Sequence, residues 1–372
     1  MMAENASVFQ LKIKFFKRQQ NKKRPIILEN NFRLPAEWES QSAVLIAWPH
    51  EHTDWNYMLD EVTECYKNIA CAILEDEHLI VASPIDPIKL SDSIDSPHKW
   101  RLSPFQIATN DTWARDFGPI TKIDSDGRPV LMNFVFNAWG MKFAANHDNL
   151  ITQSLEFLGA FDCPVEDHLE FVLEGGSIES DGKGCILTTE ECMTSTNRNG
   201  HMSFGQIDEY LKKVFNARKI VWLHHGALEG DDTDGHIDTL ARFAPNDTIL
   251  YVGCDDAEDS HYHELKKMEQ ELQEATNADG KPFRLIKLPF PDAIYDEDGL
   301  RLPATYANFL VTNSSVLVPT YAQPENDRKA LELIAGAFPG RRVVGIDCRA
   351  LIKQHGSLHC VTMQLPKGAI DE

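Results

Sequence analysis

The stretch "SAVLIAWPHEHTDWNYMLDEVTECYKNIACAILEDEHLIVAS" (42–83) contains one complete strand–helix–strand unit. Its two ends, "SAVLIAW" (42–48) and "HLIVAS" (78–83), are short apolar runs of the kind that form strands. Between them, residues 57–76 space their apolar side chains at close to 3.6 residues, which predicts a helix. A strand, a helix and a second strand in this order indicate an α/β fold.

The same alternation continues along the rest of the chain. Further strand-like runs lie at 129–136, 219–225, 247–253 and 314–319, and a second helical pattern lies at 263–275. Turn signals built from Asp and Gly separate these runs, and no linker rich in Pro, Gly or Ser divides them. We therefore expect residues 32–372 to form a single domain, which a chain of 372 residues with 42% hydrophobic content can support.

Residues 1–31 have a different character. The segment "LKIKFFKRQQNKKRPIIL" (11–28) holds seven basic residues and no acidic one. It lacks the continuous apolar run of a signal peptide. We expect a basic arm that is disordered or peripheral, with an amphipathic surface helix as the alternative.

Composition restricts the class of protein. The formal net charge of −21 disfavours binding to nucleic acid and to anionic lipid, and it attracts cations, although solubility alone also explains such a charge. No apolar run reaches the roughly 18–20 residues that span a membrane, so we expect a soluble protein with no membrane partner. Eight scattered cysteines without a C-x-x-C pair are typical of reduced thiols in the cytoplasm. A homo-oligomer remains open.

Polar residues in unusual segments recur at near-regular intervals. They are Asp116, Glu174, the pair His236 and Asp238, Asn308 and Cys360, separated by 58, 62, 72 and 52 residues when the pair is counted from His236. Each interval is close to the length of one strand–helix module, so a ring of similar modules would aim one polar side chain each at a shared centre. The surrounding strings share little identity, and chance spacing is the alternative.

Each of these segments also has a purely structural explanation. Asp116 in "NDTWARDFGPI" (110–120) could form a turn, and Glu174 before two glycines could be a loop carboxylate. His236 after "TDG" (233–235) could be a turn histidine, although on a strand it would share a face with Asp238 two residues later. Cys360 in "HGSLHCVT" (355–362) could be a small core residue, as most cysteines on apolar strands are.

Metal and nucleotide sites find little support in the sequence. "GDDTDG" (230–235) has Gly230 where a calcium loop begins with Asp, and closely spaced Cys and His ligands for zinc are absent. Neither G-x-x-x-x-G-K-[ST] nor G-x-G-x-x-G occurs. We expect no metal and no cofactor.

One cysteine, one histidine and several carboxylates suit a different chemistry. A thiolate needs a base or a cation nearby, and a histidine can then transfer protons. Excess carboxylates would repel the oxyanion of acyl transfer. They suit a substrate that stays positively charged, such as a planar guanidinium with many donors.

Taken together, these segments resemble the agmatine deiminase family of the guanidine-modifying superfamily. The strings that carry the resemblance are "LPAEWE" (34–39), "AWP" (47–49), "NDTWARDFGP" (110–119), "FNAWG" (136–140), "LEGGSIESDGKG" (173–184), "LTTEECM" (187–193), "TDGHID" (233–238), "NFLVTN" (308–313), "PENDRKAL" (324–331) and "GSLHC" (356–360). The resemblance covers residues 33–366 and leaves out the basic arm.

The resemblance implies a pentein-type fold, a five-bladed pseudo-symmetric α/β propeller, in which residues 32–372 form the catalytic domain. It implies hydrolysis of agmatine to N-carbamoylputrescine and ammonia through a covalent thiouronium on the cysteine. The implied roles are Cys360 as nucleophile, His236 as acid and base, Glu174 as its partner, Asp116 and Asp238 as the guanidinium clamp, and Trp113 and Trp139 as channel lining, with core packing as the alternative for both tryptophans.

Two points leave the substrate open. Many relatives carry "GGGNIHC" where this chain has "QHGSLHC" (354–360), and that loop borders the substrate channel. A deiminase acting on peptidyl-arginine or free arginine is the first alternative, and Arg198 is the residue to examine as a partner for the carboxylate of arginine. A cysteine-dependent amide hydrolase, or a binding protein without activity on the same scaffold, is the second.

Overall fold

The computed structural model describes residues 32–371, and the expected basic arm lies outside these residues. Within this range, none of the helices combines the length and the apolar character needed to cross a membrane. The described residues form strands and helices in alternation, as the sequence predicts.

The strands are short and distributed over the whole described chain. In chain order they are β1 (Phe32–Arg33), β2 (Gln41–Ala47), β3 (His78–Ser83), β4 (Leu102–Gln106), β5 (Ile120–Asp124), β6 (Pro129–Val135), β7 (Val165–Val172), β8 (Ile178–Ser180), β9 (Cys185–Thr189), β10 (Lys219–Leu223), β11 (Ala241–Ala244), β12 (Thr248–Val252), β13 (Arg284–Leu288), β14 (Leu310–Val311), β15 (Ser315–Thr320), β16 (Arg342–Asp347) and β17 (Thr362–Pro366).

Most of the longer helices connect strands of the same sheet. The helices are Leu59–Asp76, Pro87–Ser93, Ala114–Phe117, Ile151–Leu158, Glu190–Thr194, Thr196–Asn199, Phe204–Val214, Tyr262–Glu274, Pro324–Ala337 and Arg349–Ile352. Short 3-10 turns lie at Asp54–Met58, Lys99–Arg101, Asp148–Leu150, Gly175–Ser177 and Ile237–Thr239.

Five separate sheets share one topology. Their strand orders are β17-β2-β3-β4, β1-β5-β6-β7, β10-β9-β8, β11-β12-β13 and β14-β15-β16. In each sheet an antiparallel pair is followed, after a helical crossover, by a strand that runs parallel to the second member of the pair. The sheet that contains β2 takes its antiparallel partner β17 from the other end of the chain, so the two ends of the described chain meet in one sheet.

The apolar periodicity explains why these elements pack. In the helix Leu59–Asp76 the buried residues recur three or four positions apart, at Val62, Tyr66, Ile69 and Ile73 among others, and every residue of β2 is buried. A continuous cluster of buried side chains runs from Leu34 to Ile370. The strands and helices expected at 42–48, 78–83, 129–136, 219–225, 247–253, 314–319, 57–76 and 263–275 are confirmed to within two residues at each end.

Candidate active site

The five recurring polar segments lie at equivalent places in the five sheets. Each has a polar residue within four positions before the first strand of an antiparallel pair: Asp116 before β5, Glu174 before β8, Asp238 before β11, Asn308 before β14 and Cys360 before β17. The spacing noted in the sequence is therefore the spacing of the structural repeat. These connections meet at one place, where their side chains contact one another.

Asn308 holds the candidate nucleophile. Its Oδ1 accepts hydrogen bonds from the backbone N–H groups of His359 at 2.8 Å and Cys360 at 3.3 Å. These two bonds orient the amide so that Nδ2 points at the Cys360 sulfur, 3.3 Å away, and at the backbone carbonyl of Asp238. A side-chain donor is therefore aimed at the atom that would carry the negative charge of a thiolate.

His236 lies between two carboxylates. Its Nδ1 is 3.6 Å from Asp116 Oδ1, and its Nε2 is 3.4 Å from Glu174 Oε2. Burial by itself lowers the pKa of His236, but the charge of Asp116 and the contacts with Cys192 and Glu174 outweigh it and raise that pKa well above its usual value. The ring is therefore an imidazolium at neutral pH, ready to donate a proton.

Asp238 belongs to a second carboxylate–histidine chain. Its Oδ2 lies 2.8 Å from His359 Nδ1, and His359 Nε2 lies 2.8 Å from Glu37 Oε2, so the ring contributes hydrogens to both only as an imidazolium. Burial raises the pKa of Asp238, but the hydrogen bond and charge of His359 outweigh it and keep this carboxylate ionised. Among residues 32–371 no donor reaches the buried Oδ1 of Asp238. That oxygen is available to a ligand.

Asp116 is held by a strained turn. Ala138, Trp139, Gly140 and Met141 all have positive φ angles, between 53° and 86°, and this left-handed turn aims Trp139 Nε1 at Asp116 Oδ2, 2.9 Å away. A left-handed backbone costs about 1 kcal/mol or more per non-glycine residue, so the geometry depends on the surrounding contacts. Burial, opposed by His236, raises the pKa of Asp116 to about 6.

The two glycines after Glu174 let the backbone pass close to the side chains of His236 and Asp116. A Cβ at Gly176 would lie 2.6 Å from His236 Nδ1 and 2.8 Å from Asp116 Oδ1. The backbone N–H of Gly176 donates to that same Asp116 oxygen at 3.0 Å. The Gly-Gly pair in the sequence is thus explained by crowding rather than by a left-handed conformation, since neither glycine has a positive φ.

A cleft of about 400 Å³ leads from the surface to Cys360. Its lining consists of Asp54, Asp111, Trp113, Asp116, Trp139, Phe143, Asp232, Thr233, Gln354, His355, Gly356 and Cys360. Both tryptophans proposed for the channel lie here; Trp113 also packs on Trp55 with ring centroids 5.7 Å apart. Residues 354–356 form part of the wall.

The cysteine itself is protonated in this surrounding. Cys360 is buried, and burial together with Asp238 and Asp116 raises the pKa of its thiol well above the usual value. Its sulfur lies 3.8 Å from Asp238 Oδ2. A positive charge placed between the two aspartates would reverse this effect and favour the thiolate.

Arg198 does not reach the cleft. Its Nε donates to Glu174 at 2.8 and 2.9 Å, and its terminal nitrogens bind Asp234 at 2.5 Å and the carbonyl of Thr233. The guanidinium and His236 together outweigh burial and lower the pKa of Glu174. Arg198 is a buried partner of Glu174, so it is not available for the carboxylate of a free arginine.

Sequence reasoning missed several residues of this site and the local geometry of one pair. His236 and Asp238 stand at a 3-10 turn, Ile237–Thr239, rather than on a strand, and they face different partners. Asn308 was noticed only for its spacing, and His359 only as a neighbour of Cys360. Both have tertiary partners that no local pattern reveals.

Comparison with known proteins gives consistent findings. The sequence profile of the family described as "Porphyromonas-type peptidyl-arginine deiminase" matches residues 33–366. A protein named "Putative agmatine deiminase" from Legionella pneumophila (strain Paris) is 34% identical over 342 residues, covering 90% of this chain and 96% of its own length.

Solved structures agree with this family match. The "Putative Arginine Deiminase from Porphyromonas gingivalis" is 52% identical with a TM-score of 0.87, covering 91% of this chain and 100% of that one. An agmatine deiminase variant of C. jejuni, solved with substrate bound, is 37% identical with a TM-score of 0.84, covering 91% of this chain and 97% of that one.

Proposed function

The chain belongs to the Porphyromonas-type peptidyl-arginine deiminase family, and from its relatives named agmatine deiminase we propose that it converts agmatine and water to N-carbamoylputrescine and ammonia. It is a hydrolase of amidine C–N bonds, as its relatives named deiminase indicate. We place the reaction in polyamine supply in the cytoplasm, in keeping with the eight free cysteines.

The acidic lining of the cleft supports agmatine as the substrate. Besides Asp116, the lining includes Asp54, Asp111 and Asp232, and among the described residues no lysine or arginine joins them. Agmatine is a dication whose ammonium these acids can receive, whereas the carboxylate of free arginine would meet only negative charge. Burial raises the pKa of Asp111 to about 7, so an ammonium beside it also favours its ionised form.

The reaction begins with the guanidinium bound between Asp116 and Asp238. The free Oδ1 of Asp238 accepts one guanidinium N–H, and the positive charge lowers the cost of forming the Cys360 thiolate, whose proton passes to solvent. The thiolate then attacks the guanidinium carbon, with the Asn308 amide hydrogen-bonded to the sulfur. His236 donates its proton to the departing nitrogen, and ammonia leaves.

The second half of the reaction uses the same groups. The carbon remains bound to sulfur as a cationic thiouronium between the two aspartates. Neutral His236 takes one proton from water, the water oxygen attacks the carbon, and the sulfur leaves as thiolate while the second proton of the water passes to solvent. Glu174, held by Arg198, keeps the histidine in place through both steps. The urea product is uncharged at the former guanidinium, so Asp116 and Asp238 hold it less well than substrate.

The repeated topology supports a finer description of the fold. We propose that the five sheets are the blades of a pseudo-symmetric propeller, with the site on its axis and residues 32–372 as one catalytic domain. The equivalent positions of Asp116, Glu174, Asp238, Asn308 and Cys360, one before each sheet, favour this arrangement.

An ammonia-release assay on agmatine, arginine and benzoyl-arginine amide, side by side, tests the substrate. We expect kcat/KM for agmatine to exceed the other two at least ~100-fold. Cys360→Ser and His236→Ala should abolish release while leaving the fold intact by circular dichroism. Faster turnover of arginine or of the peptide analogue would make the choice of agmatine wrong, and full activity of either variant would make the mechanism wrong.

A further inference from the structure

The side of His236 that faces away from the cleft has a thiol beside it. Glu174, Cys192 and His236 come together so that one ligand atom of each lies within 4.8 Å of the other two, and no second such group occurs in residues 32–371. His236 Nε2 lies 3.4 Å and Cys192 Sγ 3.9 Å from the same atom, Glu174 Oε2. All three residues are buried.

These separations fit a tetrahedral metal ion. Zinc binds imidazole nitrogen and carboxylate oxygen at about 2.1 Å and thiolate sulfur at about 2.3 Å. Tetrahedral angles then place nitrogen and oxygen about 3.4 Å apart, and sulfur and oxygen about 3.6 Å apart. The observed distances of 3.4 and 3.9 Å need little adjustment. We propose that Glu174, Cys192 and His236 form an inhibitory site for a zinc-class divalent ion.

The ion displaces protons from its ligands. A ligating thiol and imidazole must be deprotonated, so binding of a divalent cation releases the proton of the Cys192 thiol and any proton on His236 Nε2. The charged groups that face the cluster are Arg198, Asp116 and Asp238.

The choice of ion follows from the ligand types. A thiolate with an imidazole favours zinc, cobalt or similar ions over magnesium and calcium, which prefer oxygen ligands alone. Three protein ligands leave the fourth tetrahedral position to water. Inhibition follows because an ion on Nε2 holds the lone pair on the far side of the ring, so His236 can no longer alternate between imidazolium and neutral imidazole through Nδ1 on the side of Asp116; this step rests on the proposed function, whereas binding of the ion does not.

The nucleophile is not part of the proposed site. Cys360 has its sulfur on Asn308 and Asp238, and the cluster uses Cys192 instead. The two cysteines therefore allow a clear distinction between an ion bound at Cys192 and one bound at the nucleophile.

Cobalt titration of the full chain tests the proposal directly. The protein is freed of metal with a chelator, kept under anaerobic conditions, and equilibrated for hours with Co²⁺ because the ligands are buried. The readout is the near-ultraviolet thiolate-to-cobalt charge-transfer band, which does not depend on turnover. We expect one strongly bound ion in the parent chain and in Cys360→Ser, with dissociation constants equal within about threefold.

Cys192→Ala should lose the band, and its dissociation constant should rise at least ~100-fold. Cys71→Ala, which removes a half-buried thiol from the helix Leu59–Asp76, is the matched control and should keep the band. If Cys192→Ala does not fold, Cys192→Ser takes its place, since it keeps the volume and removes only the soft ligand. Zn²⁺ should inhibit agmatine turnover of the parent chain at least ~100-fold more strongly than that of the Cys192 variant.

Two results would overturn the proposal: a band that persists without Cys192, or a band that disappears in Cys360→Ser. The proposed function fails separately. If the parent chain releases no ammonia from agmatine but shows the expected cobalt bands, the metal site stands and only the reaction is wrong.

Discussion

Replacing Asn308 by an aspartate (N308D) tests whether the amide stabilises the thiolate. The change is nearly isosteric, and the carboxylate can keep both backbone hydrogen bonds that Oδ1 accepts from residues 359 and 360. It removes the amide N–H groups that lie 3.3 Å from the Cys360 sulfur and 3.2 Å from the backbone carbonyl of Asp238. The local backbone should therefore survive while the sulfur loses its donor.

Two contributions, a lost hydrogen bond and a charge repulsion, determine how far kcat should fall in Asn308→Asp. Loss of a hydrogen bond to a charged group costs about 1.5–3 kcal/mol, or roughly 13- to 160-fold in rate. An ionised carboxylate in place of the amide, 3.3 Å from a thiolate, adds a repulsion of about 5 kcal/mol at an effective dielectric constant of about 20. Because the buried carboxyl takes up a proton rather than bear this repulsion in full, we expect kcat to fall between about 100- and 10,000-fold at pH 8.

The Michaelis constant and the pH dependence distinguish loss of the hydrogen bond to the sulfur from a general loss of structure. Agmatine is a cation, so an added carboxyl should leave KM unchanged or lower it, and the loss should appear in kcat. At lower pH the introduced carboxyl is protonated and can again donate to sulfur, so the deficit relative to the parent chain should shrink from pH 8.5 to pH 6.

Steady-state ammonia release across this pH range is the assay. Asn326→Asp is the matched control, because it adds the same charge on the helix Pro324–Ala337, away from the cleft, and should match the parent chain. Turnover of Asn308→Asp within about fivefold of the parent at pH 8, or a loss confined to KM, would refute a role for the amide in stabilising the thiolate.

Three further predictions use the same structure. Because burial raises the pKa of Cys360, we expect neutral chloroacetamide to inactivate the free protein slowly at pH 7.5 and about tenfold faster per pH unit up to pH 9. Cationic chloroacetamidine supplies the missing positive charge and should react at least ~100-fold faster than chloroacetamide at pH 7.5. Equal rates for the two reagents would contradict this account. Trp139→Phe removes the 2.9 Å hydrogen bond to Asp116 and should lower kcat/KM for agmatine roughly 13- to 160-fold. The control Trp100→Phe, at an exposed tryptophan, should leave kcat/KM unchanged. A Trp139→Phe variant with the kinetics of the parent chain would remove that bond from the mechanism. Gly176→Ala brings a methyl group against His236 and Asp116, so it should abolish turnover and destabilise the fold by about 1–3 kcal/mol in thermal unfolding. The control Gly336→Ala has open space around its Cβ in a helix and should stabilise the fold by up to about 1 kcal/mol. An active Gly176→Ala variant would show that the crowding is not real.

The sequence predicts the order of elements because that signal is local. The apolar periods of 42–48, 57–76 and 78–83 can be read from neighbouring residues, and the structure has strands and a helix there. The crowding around Gly176 is also indicated in the sequence, because two glycines follow Glu174. These features depend on residues that are close in the chain.

Other parts of the site depend on residues that are distant in the chain. Arg198 could not be assigned from its own segment, because its partners Glu174 and Asp234 are 24 and 36 residues away. Cys192 looks like an ordinary buried cysteine until Glu174 and His236 are placed beside it. The left-handed turn at Trp139 has no sequence signature apart from one glycine, because its strain is balanced by tertiary contacts.

Three features of the free site indicate that it lacks one positive charge. Asp238 has a buried oxygen that no donor among the described residues reaches, Asp116 has its pKa raised to about 6, and Cys360 keeps its proton. A buried acceptor without a partner costs about 1–3 kcal/mol, so the site favours a cation that donates hydrogen bonds. A guanidinium corrects all three features at once, because it donates to Asp238, keeps Asp116 ionised and makes the thiolate accessible. In the proposed reaction, hydrolysis to a neutral urea removes that charge, and the site returns to its unfavourable state. The same charge deficit then favours binding of the cation and release of the neutral product, which would account for the buried carboxylates beside Cys360 although they are costly to the fold.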